Sequence, residues 1–587
     1  MHPLWIAQAS RPRNCLVQWS MASRWRSLVV AGTLAFASAL GIAACPASSP
    51  AGDPFDPPPA CGDDSFRETL SLLSLAHDRN VDILFVIDNS GTMGEEQARL
   101  VESAGLLFER LDELDANYRI AFTTTDNGNP WCPAGQTTPE GGKFVLSPCT
   151  ERLGNFLYNN GTIDAQDLAC NDLCSLDAAA LDIAPTTTYQ DSEAKPRPWL
   201  ERTEGLTNFP PTTEAAAAFA CYAPQGINGC GFESQLESMY MALLRAQDSN
   251  EDQYGFLRPG AIVAVVVLSD EADCSYDEDH AQIFDPNSDR AFWSDPDAAF
   301  PSSAVCWNAG VACEGDPSAY DSCEPMNYDP LGTSGVSDDE AVMLPLSRYG
   351  DLLAWLEADG QQYNAEREVI VSLIAGGEGH GEDFTVAYAE AADPDYQLDF
   401  GIGPGCTDGQ GDHAVPPVRM RALAEEFGTS LHSVCDANYD EALVDLGNQI
   451  AEQIRPLCFT KCVGDSDLST PWLETDCSIE LDAPGEDPTP VVPCLSDEVG
   501  RFQIDPETQD FALPDGADVC FATRVDPDGT MTADPNDDMS AECADLNFNL
   551  EFVLVRREGR PTPIGAAYSA TCSLSDCPEL ECPGIGG

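Results

Sequence analysis

Basic side chains are scarce in this sequence. Its 587 residues include 28 Lys and Arg against 99 Asp and Glu, a formal net charge of -71. Such a charge repels nucleic-acid phosphates and anionic membrane surfaces, so we exclude nucleic acid as a partner and expect membrane contact only through an anchor. The charge favours cations and basic proteins, although we expect most of these carboxylates to form a solvated surface.

Histidine and the common catalytic motifs are lacking as well. The chain has six His and contains no nucleophile elbow, H-E-x-x-H pair, phosphate-binding Gly-Lys-Ser/Thr loop or dinucleotide fingerprint. Acid–base catalysis by His therefore has few candidates. His380 lies in the polar glycine loop Glu378–Asp383, where a lone His is usually exposed rather than a metal ligand. The sequence thus predicts that the protein is not an enzyme.

Long apolar runs are absent except near the start of the sequence. Met21 begins a segment with Arg24 and Arg26, followed by the apolar run Leu28–Gly41 and by Ile42-Ala43-Ala44-Cys45. A basic start, a short apolar core and small residues before a break are typical of a secretory signal rather than of a membrane span. We therefore expect a signal peptide over residues 1–44, with Met21 as the true start.

The end of this segment, Ile-Ala-Ala-Cys, resembles the bacterial lipobox, in which the cysteine is lipidated after cleavage. The resemblance implies that Cys45 is the lipidation site and that residues 45–77 are a lipid-anchor tether. It also implies an exported protein of the bacterial cell envelope, located at the outer membrane. The alternative is an ordinary cleaved signal in which Cys45 is one more thiol.

Cysteine content agrees with export. Of 24 Cys, Cys15 and Cys45 belong to the leader, which leaves 22, an even number that predicts a disulfide framework. Close spacings indicate loop staples at three places: Cys170/Cys174, Cys221/Cys230 and Cys306/Cys313. Zinc is the competing interpretation for two groups: Cys458 with Cys462, and Cys572 with Cys577 and Cys582. Irregular spacing favours disulfides there, and the connectivity stays open.

Segments of strand and helix character alternate over residues 78–456. Val81–Ile87 and Ala261–Leu268 are short runs of β-formers, as in buried central strands. Glu95–Leu114 and Tyr439–Ile454 carry apolar residues at helical spacing. The alternation predicts an α/β fold with a doubly wound, mostly parallel sheet flanked by helices.

Two Cys-, Asp- and Gly-rich segments interrupt the alternation, at residues 127–220 and 272–342. Structureless loops of this length are unusual in a compact domain, so we interpret both as disulfide-rich insertions. Beyond residue 456, strand-like segments such as Phe502–Ile504 and Leu546–Val555 alternate with Pro, Gly and Asp turns. Residues 457–587 are therefore predicted to form a small, mostly β, Cys-rich C-terminal domain.

The sequence Asp88-Asn89-Ser90-Gly91-Thr92 follows the predicted strand Val81–Ile87 directly. A carboxylate and two hydroxyls at alternate positions can converge on one hard cation, and such oxygen ligands suit Mg²⁺, Ca²⁺ or Mn²⁺ rather than zinc or copper. The pattern alone is weak, because Asp, Ser and Thr also cap helix N-termini and a helix is predicted just beyond.

A strand, Asp-x-Ser-x-Thr and then an amphipathic helix resembles the first βα unit of von Willebrand factor A domains, with their metal-ion-dependent adhesion site. Ser269-Asp270-Glu271 follows a strand where that family has a second Asp, and Ala414–Ile454 resembles the end of A domains in bacterial lipoproteins. The resemblance covers about two-thirds of the chain. It implies one divalent cation, with Asp270 as a direct or water-bridged ligand beside three residues of the first loop: Asp88, Ser90 and Thr92.

One position departs from the family. A further Thr is expected in the loop before the helix that here is predicted from Phe232, but the sequence has Glu233 and Ser234. Either residue could donate an oxygen instead. A Glu would shift the preference toward Ca²⁺ and weaken the attraction for a carboxylate on a partner.

The resemblance implies an adhesion-type binding module. The ion would bridge to an acidic group on a protein partner, and no bond would be broken. Two alternatives remain at this point. In the first, the protein is a structural cell-surface protein in which the ion only stabilises loops. In the second, it is a metal-assisted hydrolase in which the insertions form a substrate cleft.

Overall fold

The computed structural model describes most of the chain beyond residue 72. The described residues are 73–75, 79–132, 137, 139–203, 205–362, 367–427, 430–454, 457–466, 473–482, 488–497, 499–506, 510–525, 532, 534–540, 543–544, 548–557, 567–575 and 582. The predicted signal peptide and Cys45 lie outside this set. No helix among the described residues is both long and apolar enough to cross a membrane.

The helices and strands occupy the following ranges. The helices are α1 (Gly94–Glu113), α2 (Ala215–Tyr222), α3 (Gln235–Arg245), α4 (Ala304–Gly310), α5 (Leu346–Gly360), α6 (Pro394–Phe400), α7 (Val418–Ala424) and α8 (Asp440–Gln453). The strands up to residue 325 are β1 (Leu73–Leu75), β2 (Asn80–Ile87), β3 (Asn117–Thr124), β4 (Leu157–Tyr158), β5 (Ile163–Asp164), β6 (Leu200–Thr203), β7 (Leu206–Thr207), β8 (Ile262–Leu268), β9 (Val311–Asp316) and β10 (Ala319–Pro325). The later strands are β11 (Ile370–Ala375), β12 (Cys406–Thr407), β13 (His413–Ala414), β14 (Ser430–Ser433), β15 (Leu457–Cys458), β16 (Cys477–Asp482), β17 (Thr489–Pro493), β18 (Val519–Arg524), β19 (Glu551–Arg556) and β20 (Ala567–Cys572).

A seven-stranded sheet lies at the centre of the fold, in the order β14-β11-β8-β2-β3-β6-β7. The strands from β14 to β3 pair in parallel, and β6 and β7 continue the sheet antiparallel. The predicted α/β class with a mostly parallel sheet is confirmed. Strands β3 and β8 lie on opposite sides of β2, so the strand order reverses there, and loops that leave such a point diverge and open a crevice.

Helices cover both faces of this sheet. Ile83, Phe85 and Ile87 of β2 belong to a buried cluster with apolar residues of α1, α2 and α8. Leu84 and Val86 point to the opposite face and join a second cluster with residues of α3, α5 and α7. The alternation along β2 follows from the two-residue period of a strand, and burial on both faces explains why residues 83–87 are all apolar.

The segment 127–220, interpreted from the sequence as an insertion, is partly a component of the central domain. Strands β6 and β7 extend the sheet beyond β3. Helix α2 also belongs here, because Phe219 packs edge-on against Phe85 and Phe122, with ring centroids 5.3 Å away in each case. Strands this short and polar carry no apolar alternation, which is why the sequence pattern did not reveal them. The segment 272–342 contains α4 and the separate hairpin β9–β10.

A second seven-stranded sheet contains the C-terminal strands, in the order β1-β20-β16-β17-β18-β19-β15. Its pairs are antiparallel except β17 with β18. Strand β1 falls within residues 45–77, which were predicted as tether, and Leu73 lies opposite Ala570. That prediction is wrong for this strand. Phe502–Ile504 forms isolated bridges rather than the predicted strand.

Every cysteine among the described residues is in a disulfide. The ten bonds are Cys132–Cys230, Cys149–Cys170, Cys174–Cys221, Cys274–Cys306, Cys313–Cys323, Cys406–Cys435, Cys458–Cys543, Cys462–Cys582, Cys477–Cys572 and Cys494–Cys520. None of the three predicted staples forms. Cys170 and Cys174, for example, lie near each other in sequence but bond to different elements. The four described cysteines weighed for zinc are all disulfide-bonded, and Cys577 lies outside the described residues.

Candidate metal centre

The loop that carries Asp88 lies at the carboxyl ends of β2 and β8. The backbone N–H of Asp88 donates to the carbonyl of Leu268, the last residue of β8, at 3.0 Å. The backbone N–H of Ser90 donates to Oδ1 of Asp88 at 2.8 Å, and the hydroxyl oxygens of Ser90 and Thr92 lie 3.3 Å apart. The structure thus brings the three predicted ligands of this loop together where the strand order reverses.

This loop is not a helix cap. Helix α1 begins at Gly94, its N-cap is Met93, and no side chain makes a capping hydrogen bond there. The carboxylate of Asp88 instead accepts the hydroxyl of Ser269 at 2.6 Å, through Oδ2. The capping turn considered from the sequence is therefore not what these side chains form.

Asp270 reaches the same place from the end of β8. It is buried, with 8% of its surface exposed, and its Oδ1 is a buried oxygen with no hydrogen-bond partner among the described residues. The Thr92 hydroxyl bonds to the Asp270 carboxylate and partly opposes the rise in its pKa. Burial raises that pKa well above the ordinary value, and the charges of Asp88 and Glu271 raise it further.

Glu233 is the acid that enters from the loop before α3. It is buried, its Oε2 accepts the hydroxyl of Thr125, and its Oε1 has no partner among the described residues. Burial and then the Asp88 carboxylate raise the pKa of Glu233 well above its usual range. The Ser234 hydroxyl donates to the carbonyl of Cys274 at 3.0 Å, so Glu233 is the one of the two that faces Asp88. The predicted helix begins at Gln235 rather than Phe232.

Burial raises the pKa of all four acids around this loop, and the charge of Asp88 raises the pKa of the other three. Burial raises the pKa of Asp88 to about 6, although hydrogen bonds from Ser269 and Ser90 oppose the rise. Burial and the nearby Asp88 raise the pKa of Glu271 to about 8. No Arg or Lys within the described residues lowers the pKa of Asp88, Asp270, Glu233 or Glu271. Burial therefore favours the protonated acids, and a bound cation would favour their ionised forms.

The residues present fit a hard divalent ion. Two buried carboxylate oxygens lack partners, all the donors are oxygens, and the site has an uncompensated negative charge. No set of one carboxylate oxygen from each of Asp88, Asp270 and Glu233 lies within 4.8 Å of one another, whereas such a set exists elsewhere among the described acids. The structure therefore does not bring all three carboxylates to the spacing of direct ligands.

The acids that do meet that distance lie at the start of α1 and in the loop before β13: Glu95, Asp408 and Asp412. Arg99 stands among them, 2.8 Å from Asp408 and 3.1 Å from Glu95. Because Arg99 already offsets part of the negative charge of this group, the group has less need of an ion than the Asp88 loop does.

Several residues that contact the Asp88 loop and its neighbours were not predicted from the sequence. Gln97, on the apolar face of α1, donates to the carbonyls of Asp88 and Gly226 at 2.8 Å each. Thr125 and Asp126 directly follow β3. Polar residues at the end of a buried strand are the sequence signal that could have indicated their place near the site. Gly229 is required because a Cβ there would lie 2.3 Å from the Asn89 side chain.

Access to the loop is uneven. The ring of Tyr158 lies over Gly91, where an added Cβ would approach within 2.8 Å of it. Ser90 is buried, whereas Thr92 is exposed. A group from solvent therefore reaches this site most directly beside Thr92.

Comparison with known proteins gives no family assignment. Searches against protein-family models and against curated proteins found no match to this chain. The resemblance to A domains consequently rests on the residues named above.

Proposed function

We propose that this chain is an exported, lipid-anchored protein with a von Willebrand factor A-type domain that binds one divalent cation at the Asp88 loop. Through that ion it binds a carboxylate on a protein partner. The strand order, with its reversal at β2, supports the A-type fold, as does the antiparallel strand at one edge. The proposed ligands are Asp88, Ser90 and Thr92, with Asp270 and Glu233 binding directly or through water.

The observation that carries the proposal is the uncompensated negative charge in a buried place. Asp88, Asp270 and Glu233 are all buried, and two of them have an oxygen without a partner. A folded protein tolerates such a group at neutral pH if the acids stay protonated or if a cation is bound. Hydroxyls of Ser90 and Thr92 beside these acids favour the cation, because they add neutral oxygen ligands.

The ion would also reduce the repulsion between this acidic protein and an acidic group on its partner. At a net charge of -71 the protein repels a partner's carboxylate, and a bound divalent cation offsets this repulsion locally. Glu233 adds a negative charge that the usual Thr would not, so we expect Ca²⁺ to compete well with Mg²⁺ here. The exposed side of Thr92 is where the partner would approach.

The proposal is tested first with the metal alone. Calorimetric titration of EDTA-treated protein with Ca²⁺, Mg²⁺ and Mn²⁺ should give one ion per chain, and Ser90→Ala with Thr92→Ala should weaken binding. Selection of immobilised random peptides in Ca²⁺ should then enrich Asp and Glu, and EDTA should release the bound peptides.

Each alternative predicts a different result. A structural ion would bind and stabilise the protein while no acidic peptide is enriched. A hydrolase would turn over some substrate, and Asp88→Ala would abolish that turnover. No observed group favours the hydrolase, so we retain the binding function.

A further inference from the structure

The hairpin β4–β5 places an aromatic ring directly against the Asp88 loop. A Cβ added to Gly91 would lie 2.8 Å from two ring carbons of Tyr158, so the ring lies against the backbone at a place that only glycine leaves open. Gly91 stands between Ser90 and Thr92, two of the proposed ligands. A group that reaches the ion beside Thr92 therefore passes close to this ring.

The tyrosine belongs to a small apolar surface that faces solvent. Tyr158 is 41% exposed and pairs across the hairpin with Ile163, which is 45% exposed. Side chains directly opposite each other on an antiparallel pair lie on the same face, so these two adjoin. Exposed apolar surface beside a ligand site is typical of a protein-binding patch.

The hairpin is held firmly in this position. Phe156, directly before it, is fully buried, and the backbone N–H of Ala165 donates to its carbonyl at 2.9 Å. Ala165 is buried against Gly94, the first residue of α1, where an added Cβ would lie 3.0 Å from it. The disulfide Cys149–Cys170 joins the segments on either side of the hairpin. Because the ring is fixed before binding, little conformational entropy is lost when a partner covers it.

The charge beside the ring disfavours a second acid on the partner. Asp164 follows Ile163 in β5, Asp167 lies just beyond, and both are exposed. One acid of the partner can be bound through the ion, but a second one at this place would be repelled by these carboxylates. An apolar side chain meets no such repulsion.

We propose that Tyr158 is a specificity-determining residue: the partner's acidic side chain is accompanied by an apolar one that packs on Tyr158 and Ile163. The inference rests on the function proposed for the Asp88 loop. The apolar residue is expected within two positions of the acid, because the ring adjoins the loop between two ligands. Side chains two positions apart in an extended segment lie on one face, about 7 Å from each other.

The test uses immobilised random peptides with one fixed Asp, presented to the full chain in Ca²⁺. Peptides bound by wild type should be enriched in aromatic or large aliphatic residues within two positions of the Asp, and Tyr158→Ala should lose this preference. Tyr158→Ala should bind one such peptide about tenfold more weakly or worse, as for a Tyr at the centre of an interface. Ile163→Ser should have the same effect to a smaller extent. The Ca²⁺ affinity measured by calorimetry should be unchanged, because neither side chain is a ligand.

A matched control removes another exposed tyrosine. Tyr189 is 53% exposed, and its neighbour Thr188 packs on Gly255. The carbonyl of Gly255 accepts a hydrogen bond from Arg119 near the start of β3, so Tyr189 lies toward the opposite end of the sheet from the Asp88 loop. Tyr189→Ala should therefore bind the peptide as wild type does.

A change in the peptide tests the contact itself. Replacing its apolar residue by Ser should weaken binding to wild type but leave binding to Tyr158→Ala nearly unchanged. Such non-additivity is expected when two side chains contact each other.

The outcomes separate this inference from the function on which it rests. If wild type binds no Ca²⁺ or captures no peptide, the proposed function fails and the inference fails with it. If wild type captures peptides without an apolar preference, or if Tyr158→Ala keeps that preference, only the inference on Tyr158 is wrong. Loss of Ca²⁺ binding in Tyr158→Ala, with the fold intact by urea unfolding, would also overturn it, because the tyrosine would then act on the loop and not on the partner.

Discussion

Replacing Asp88 by Asn should make the protein more stable without metal and less responsive to it. Asn has nearly the same shape and can accept the Ser90 N–H through its carbonyl oxygen, and the one hydrogen bond lost is that from the Ser269 hydroxyl. The fold is therefore expected to persist. What the variant loses is one negative charge at a buried place where the neighbouring charges are also negative.

The magnitude follows from the pKa of Asp88. Burial raises it to about 6 from 3.8 for a free aspartate. At 1.36 kcal/mol per pH unit, a difference of about two units corresponds to about 3 kcal/mol. Because the folded-state pKa is raised, the folded protein holds its proton longer than the unfolded chain does. The contribution to stability is thus complete below pH 3.8 and is lost as the pH rises through 6.

The assay is urea unfolding in EDTA, followed by tryptophan fluorescence at several pH values between 4 and 8. At pH 8 the Asp88→Asn variant should exceed wild type by about 3 kcal/mol, and at the acid end the two should agree. A divalent ion at a hundredfold excess over its dissociation constant should add about 2.7 kcal/mol to wild type and nothing to the variant.

Asp412→Asn is the matched control. It removes a carboxylate from the acidic group around Arg99, outside the Asp88 loop, so it should leave the response to the ion unchanged. If wild type and Asp88→Asn lose stability in parallel as the pH rises, the charge at Asp88 does not carry the effect. If both respond equally to the ion, the metal binds elsewhere and the reasoning is refuted.

Three further variants test other parts of the structure. Glu233→Gln should raise the stability at pH 8 in EDTA and weaken the binding of Ca²⁺ more than that of Mg²⁺, measured by calorimetry; unchanged binding of both ions would exclude Glu233 as a ligand. Arg258→Met should cost about 3–5 kcal/mol because it leaves Asp82, 2.8 Å from the guanidinium, as an unpaired buried charge. Adding Asp82→Asn should recover much of that loss in urea unfolding, and no recovery would mean that the charge is not the cause. Replacing both Cys132 and Cys230 by Ala opens a bond between residues 98 apart in sequence and should cost about 4–5 kcal/mol by the same measurement. A loss below 1 kcal/mol would show that this bond does not constrain the unfolded chain.

The bounds of an element are predicted best from the sequence when burial on one or both faces gives it a regular apolar pattern. Strand β8 is entirely apolar, so its extent was predicted to within one residue, and α1 was predicted to within one residue at each end. The Asp88 loop was singled out because its proposed ligands are adjacent in sequence to such a strand. Asp270 was singled out for the same reason.

What escaped prediction depends on contacts between distant parts of the chain. Strand β6 has the sequence Leu-Glu-Arg-Thr, which carries no alternation, and it is a strand only because β3 offers it a partner. The partner of each cysteine is decided by the folded topology and not by spacing. His380 and His432 are 52 positions apart in the sequence, so only the packing of β14 beside the loop after β11 shows that they meet.

The position of strand β1 determines how tension on the N-terminal end would be transmitted through the molecule. It pairs with β20 over three residues, and residues 76–79 alone separate it from β2, the strand that ends at the Asp88 loop. Tension applied to the N-terminal end, as by the proposed lipid anchor, would reach β1 before any other described element. Three residue pairs would have to separate before the tension passed to β2 and on to the Asp88 loop. If the proposed function holds, weak tension would therefore separate this pairing, which can re-form, before it acted on a partner bound through the ion.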